Sequence, residues 1–211
     1  MVKKLYLKNN VSRETLILLF SLCIIKKLLQ RYLINQVRVG IQQPHISSSV
    51  CGGFFYIGII MEKMMMEALV EAQKAALEDE VPVGCIIVYN NQIIGRGHNV
   101  REKINHVMTH AEIMAICEAS KHLNSWRLED CICYVTLEPC LMCAGALLQS
   151  RIKKIVFGAY DPKGGVFGSL FDVSQISGFN HYPEIVGGVL EVECAKILKD
   201  YFKNKRQNKK G

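Results

Sequence analysis

No stretch of this chain offers the roughly twenty consecutive apolar residues that a membrane-spanning helix needs. The run Leu16–Ile25 (L-I-L-L-F-S-L-C-I-I) is ten residues long and ends at Lys26-Lys27. A small-residue cleavage site is missing as well, because Lys26, Lys27, Leu28 and Leu29 follow directly, so the run does not read as a secretory leader. Acid is almost absent from residues 1–60, where eight Lys/Arg face Glu14 alone, whereas residues 61–211 carry 18 basic and 18 acidic side chains. The net charge of +7 therefore cannot be spread over the main body as a nucleic-acid footprint. Any such reading rests on local patches. A regular, even cysteine framework is lacking too. Nine cysteines in 211 residues exclude a small disulfide-built secreted domain and point to reduced thiols in the cytoplasm, some of them free to hold metal. No internal repeat or low-complexity linker occurs after residue 61.

What is present is globular: 50% apolar and 21% charged residues, in a length suited to one full core. Residues 1–60 are read as an N-terminal extension outside the working domain. Three origins are weighed: a start of translation at Met61 or at one of Met64–Met66, an interfacial amphipathic or disordered segment, or a docking segment peculiar to the source species. Pro44–Gly53 reads as loop and Phe54–Ile60 as a second short apolar run. At the other end, Lys196–Lys210 holds seven basic residues against Asp200, either a solvated tail or a phosphate-contacting surface.

The pattern from residue 61 on alternates helix and strand. Met65, Leu69, Ala72, Ala76 and Leu77 space a helix over Met61–Glu80, broken by Pro82 and Gly84. Cys85–Tyr89 and Gln92–Gly97 form a hairpin around Asn90-Asn91. Thr109 and Glu112 have capping-box spacing for a helix running to about His122. Cys131–Leu137 is a strand, Pro139 opens a helix to Ser150, and Lys154–Gly158 is a strand. Asp161–Gly168 is a loop, and Glu191–Lys203 is a last helix. Such alternation predicts one layered α/β domain with helices on both faces of a sheet.

Two of these helices begin at chemically unusual residues. His110 and Glu112 start one; Cys140 and Cys143 start the next, three apart and so on one face. Helix N-termini favour anions and lower thiol pKa values. A C-x-x-C pair alone suits a redox site or a metal site equally well, and H-x-E alone says less. Together, two thiolates and one imidazole make a three-ligand zinc site with an open position for water, whose pKa zinc lowers toward neutrality. Glu112, two residues from His110, then serves as general acid/base without ligating the metal. Cys131 and Cys133 read as core residues of a strand. Cys85, Cys117 and Cys194 read as small core residues. His98, His106, His122 and His181 read as surface or loop residues.

The combination H-A-E…P-C-x-x-C resembles the zinc-dependent cytidine/nucleobase deaminase superfamily, whose signature and mechanism are established. The likeness is closer to the bacterial tRNA adenosine deaminases. It lies in E-V-P-V-G-C-I-I-V (80–88), G-H-N (97–99), H-A-E-I-M-A-I (110–116), Y-V-T-L-E-P-C-L-M-C-A-G-A (134–146) and S-R-I (150–152). It continues through V-F-G-A-Y-D-P-K-G-G (156–165), G-S-L (168–170), F-N-H (179–181) and Y-F-K-N (201–204), and covers about 61–210. The resemblance implies a three-layer α/β/α cytidine-deaminase-like domain with a central mixed five-stranded sheet. It implies a homodimer converting adenosine to inosine at the wobble position of a tRNA anticodon. His110, Cys140 and Cys143 would bind zinc and Glu112 would shuttle protons. Asn99 would hold the target nucleotide, Asp161 a neighbouring ribose, and Phe202 with nearby basic residues the anticodon loop. Splayed loop bases suit such contacts. Two departures from the family pattern stand out: His106-Val107-Met108-Thr109 replaces a P-T-A-like run, and Tyr160 replaces a charged residue before Asp161. Competing readings are a guanine, cytosine or dCMP deaminase of the same fold, a non-catalytic zinc-stabilised RNA-binding module, and a metal-free redox protein. The 161–181 loop and the basic C-terminal helix favour a polynucleotide, and Glu112 argues against a purely structural metal.

Overall fold

A computed structural model describes residues 48–208, with side chains from Gly58 on. The chain divides into two compact units, Met1–Ile57 and Gly58–Gly211. Of the first, residues 48–57 are described, and they are helical. Pro44–Gly53 was expected as loop, yet Cys51, Gly52 and Gly53 lie within that helix. Glycine's helix penalty is a weak local preference. The run Leu16–Ile25 and Lys209–Lys210 lie outside the described residues. Among the described residues no helix is long and apolar enough to cross a membrane.

Helix α1 spans Ser48–Leu77 and leads through a turn at Asp79 (φ 67°) into strands β1 (Gly84–Tyr89) and β2 (Gln92–His98). Asn90 and Asn91 both take positive φ, 47° and 62°, the conformation a two-residue hairpin turn requires and asparagine tolerates. A short helix α2 (Arg101–Ile104) precedes α3 (Ala111–Leu123). Then come β3 (Ile132–Leu137), α4 (Leu141–Gln149), β4 (Lys154–Ala159), a 3₁₀ turn at Val173–Gln175, β5 (Glu184–Val186) and α5 (Glu191–Asn208).

The strands form one five-stranded sheet in the order β2-β1-β3-β4-β5. β1 is antiparallel to both β2 and β3, and β3, β4 and β5 are parallel. The mixed five-stranded sheet expected from the resemblance is present. β1 is buried along nearly its whole length, and its side chains alternate between two cores. Cys85 and Ile87 join Ala111, Ala115, Ala119, Ala144 and Leu147, beneath α3 and α4. Ile86 and Val88 join Met65, Ala68, Leu69 and Cys194, beneath α1 and α5. The period of two thus builds a three-layer α/β/α domain.

One contact fixes where α3 starts. A Cβ on Gly97 would fall 2.2 Å from the Ala111 carbonyl oxygen and 2.6 Å from the Ala115 nitrogen. On Gly95 it would fall 2.4 Å from the Ala115 oxygen. The helix presents Ala111, Ala115 and Ala119 at four-residue spacing and lies backbone to backbone on β2.

Strand direction does the rest. β2 and β3 are each antiparallel to β1, so they run the same way and their C-terminal ends share one rim of the sheet. β4 is parallel to β3, with Leu137 paired to Ala159, and ends there as well. Asn99, the start of α3, the start of α4 and Asp161 all follow these ends. In layered α/β sheets this is the rim where ligands bind.

Candidate metal centre and active site

His110 and Cys140 are the N-cap residues of α3 and α4. Both have extended backbones, φ/ψ −76°/157° and −75°/171°. Neither helix start has a side-chain cap hydrogen bond, so both side chains are free to point at each other. Two expectations are corrected here. Thr109 does not cap α3, because its hydroxyl donates to the His106 carbonyl at 2.7 Å and the cap position passes to His110. Pro139 precedes the N-cap of α4 instead of occupying its first turn.

His110 Nδ1 lies 3.8 Å from Cys140 Sγ and 3.5 Å from Cys143 Sγ, and the three donor atoms all fall within 4.8 Å of one another. Zn–S of about 2.3 Å and Zn–N of about 2.0–2.1 Å at tetrahedral angles would set each N···S separation near 3.6 Å. The donor set therefore fits a metal such as zinc in type and spacing. This is the one such group of three among the described residues. Cys143 is fully buried, while His110 and Cys140 are partly exposed, leaving one side of the cluster open.

The electrostatics separate the two thiols. A hydrogen bond from Cys143, with a further one from His110, holds the Cys140 thiol down at about 4 despite its burial. Cys143 is pushed up, by Cys140, by burial and by the Glu112 carboxylate. The His110 imidazole is raised by its hydrogen bond to Cys140. Glu112 is 4% exposed, and burial pushes its carboxyl up to about 7, with Cys140 adding and His110 opposing. A carboxyl in that range can both take and give a proton near neutral pH.

The other expected residues stand on the same rim or on α5. Asn99 is buried, and its Nδ2 donates to Glu80 Oε2 at 3.1 Å. Glu80 is itself 1% exposed and also accepts from the Lys103 backbone N–H at 2.6 Å. Asp161 begins a loop in which its Oδ1 accepts from the Lys163 N–H at 3.0 Å. Phe202 is exposed on α5 and meets Tyr201 edge to face at 5.3 Å. That stretch of helix is tied to the turn after α1. Tyr201 donates to the Asp79 carbonyl at 2.8 Å, and Lys205 pairs with the Asp79 carboxylate at 2.7 Å. Glu80, Glu138 and the Tyr201–Asp79 clasp were not singled out from sequence. The signal available for the two carboxylates was a glutamate within two residues of a proline, in E-V-P and L-E-P-C.

Most cysteine expectations hold. Cys85, Cys131, Cys133 and Cys194 are buried, and the Cys85 and Cys133 sulfurs lie 3.4 Å apart. Cys117 is corrected: it is exposed, because the buried stripe of α3 runs through Ala115 and Ala119 and position 117 faces outward. β3 begins at Ile132, so Cys131 packs from the preceding turn.

A His/Cys/Cys donor set at two helix starts, beside a buried carboxylate on the C-terminal rim of a mixed sheet, defines the deaminase class of α/β domain. A family model described as MafB19-like deaminase matches residues 60–206. The tRNA-specific adenosine deaminase of Bacillus subtilis (strain 168) is 51% identical over 150 residues, covering 71% of this chain and 93% of the relative. The enzyme of the same name from Haemophilus influenzae is 45% identical over 150 residues, covering 71% and 87%. A solved structure from work on A-to-I editing by tRNA:A34 deaminases superposes with a TM-score of 0.61 at 43% identity, over 64% of this chain and 99% of that one. A guanine deaminase from Nitrosomonas europaea, 20% identical with a TM-score of 0.55, shares the fold. The chain belongs to the deaminase family, among the tRNA-specific adenosine deaminases.

Proposed function

We propose that this chain hydrolyses adenosine to inosine at the wobble position of a tRNA anticodon. The domain that does so is 61–211, acting as a homodimer in the cytoplasm. The observation that carries the chemistry is the convergence of His110, Cys140 and Cys143 beside the buried Glu112. His110 Nδ1 and the two sulfurs would hold zinc, which supplies Lewis acidity that brings the pKa of water to about 7. Overall a C6–O bond forms, the C6–N bond breaks, and ammonia leaves. Glu112 takes a proton from the attacking water and delivers it to the substrate nitrogen, then serves the departing amine in the same way. Its burial excludes bulk water from that transfer.

Asn99 orients the target nucleotide. Glu80 accepts from its Nδ2, which leaves Oδ1 as the end of the amide able to accept from the nucleotide. Asp161 contacts a neighbouring ribose. Phe202, with Lys199 and Lys203 on the same exposed stretch of α5, meets the loop by stacking and phosphate contacts. Support for a polynucleotide over a free base comes from the curated relatives' shared name at 44–51% identity. The guanine deaminase likeness, at 20% identity, reaches only to the fold.

The test is one incubation each with an anticodon stem-loop bearing adenosine at the wobble position, free adenosine, guanine and cytosine, read by mass spectrometry of the digested products. The expected result is inosine in the stem-loop, little reaction elsewhere, and activity that falls as salt rises. Rapid turnover of guanine or cytosine with the stem-loop untouched would overturn the substrate assignment.

A further inference from the structure

Glu138 lies two residues before Cys140, on the turn from β3 into α4, and is 2% exposed. Among the described residues it is held by N–H and O–H donors, not by a cation. All four come from one loop. The Asp161 N–H donates to Oε2 at 3.0 Å, the Phe167 N–H to Oε1 at 2.8 Å and the Ser169 N–H to Oε1 at 3.2 Å. The Ser169 hydroxyl also donates to Oε2. The loop closes tightly around the carboxylate, since a Cβ on Gly165 would fall 2.3 Å from the Glu138 carboxyl carbon. A bridge pairs Gly165 with Cys140, and the Val166 N–H donates to the Pro139 carbonyl at 3.1 Å. One buried carboxylate thus joins the helix start that carries a metal donor to both ends of the segment 161–169.

We propose that Glu138 is a positioning residue for RNA recognition: it sets the place of Asp161, and with it the ribose-contacting loop, relative to the donor cluster. This rests on the tRNA reading given above. The backbone N–H of Asp161 is held by Glu138 directly, so the loop's register against the metal centre is set at the residue that meets the substrate. The N–H donors of Asp161, Phe167 and Ser169 are main-chain groups that converge on this one carboxylate; an amide in its stead presents a donor to them and leaves one or more without an acceptor. The loop keeps other anchors. Val166, Phe167 and Val173 are buried in the core beneath α3 and α4, so loss of the carboxylate shifts the segment without unfolding the domain.

The experiment compares Glu138→Gln and the milder Ser169→Ala with the parent protein, each loaded with zinc and checked for metal content and Tm. Steady-state kinetics on the wobble-adenosine stem-loop and hydrogen–deuterium exchange are measured on all three. Expected for Glu138→Gln is a rise in KM of about tenfold to a hundredfold, the scale set by misplacements near 1 Å, with kcat within a few-fold. Exchange should quicken over 161–169 and stay unchanged over α3 and α4. Ser169→Ala should move both readouts the same way by less. A merely structural role would lower metal content and kcat per chain while leaving KM in place. That outcome, or unchanged KM and exchange in both variants, overturns the proposal. If the parent protein fails to turn over the stem-loop, the tRNA reading falls instead. The exchange data then decide alone whether Glu138 holds the loop, with unchanged exchange refuting it.

Discussion

Replacing Gly97 with alanine adds one methyl group at the tightest point beneath the active site. The new Cβ would sit 2.2 Å from the Ala111 carbonyl oxygen, where ordinary contact begins at 3.4 Å. The β2 and α3 backbones must therefore part by about 1.2 Å, because the two nearest atoms are main chain and have no rotamer to escape into. Ala111 stands between His110 and Glu112, so the displacement falls directly on the residues proposed to hold the metal and to carry the proton. Overpacking of this kind costs about 1–3 kcal/mol. At about 2–4 °C per kcal/mol for a domain of this size, Tm drops by several degrees. A shift near 1 Å in reacting groups costs about 10²-fold in rate. The assay is Tm, zinc stoichiometry and kcat/KM on the anticodon stem-loop, with Gly145→Ala as the matched control. A Cβ at Gly145, on the exposed side of α4, meets nothing within 4 Å. There alanine should leave activity in place and add up to about 1 kcal/mol of helix stability. If Gly97→Ala keeps its Tm and stays within twofold of parent activity, the backbone contact does not set the site. If Gly145→Ala loses as much, the loss reports glycine removal in general.

Two further outcomes are expected. Glu112→Gln should keep zinc while losing about 10²–10⁴ in single-turnover rate, whereas Cys140→Ala should lose the zinc itself; a near-parental rate for Glu112→Gln removes it from the mechanism. Glu71, 2% exposed on α1, has burial working to raise its carboxyl, but hydrogen bonds from His98 and Lys74 and the Lys74 and Arg96 charges win, so it lies below its ordinary 4.5. Because its folded value is below its unfolded one, its stabilisation is present above about pH 4.5 and fades as pH falls through the lower folded value. Urea titrations of Glu71→Gln should thus show a stability deficit at pH 7 that narrows in acid, and a deficit constant across that range refutes the assignment.

Periodicity and spacing carried most of this architecture. The alternation of Cys85 to Val88 between two cores, the Asn90-Asn91 turn and the meeting of His110 with Cys140 and Cys143 all followed from local pattern and strand direction. What escaped has a common cause. Thr109 and Glu112 have the spacing of a capping box, but the hydroxyl turned back to His106 and the carboxylate went into the site; spacing cannot tell which partner a side chain takes. β5 has three residues, too few for any period to show, and the fifth strand was implied by the resemblance alone. Glu80 and Glu138 look like surface acids until the loops that donate to them are in place, and Glu138 finds Phe167 twenty-nine residues away. Cys117 is core-like by residue type alone, but the helical phase of α3 turns it outward.

The shared rim has a counterpart. The Asn90-Asn91 hairpin, the link from α3 to β3 and the Arg151 turn all lie at the opposite ends of the same strands. No residue assigned to the metal, the proton or the nucleotide comes from that side. Under the proposed function the sheet divides its connections into those assigned to substrate and those that only reverse the chain. For protein engineering the second set is the permissive one. Its exposed tip at Asn90-Asn91 is a natural point to attach a dye or splice a second polypeptide, whereas a single inserted residue between Asp161 and Gly165 would change the register of the loop on Glu138.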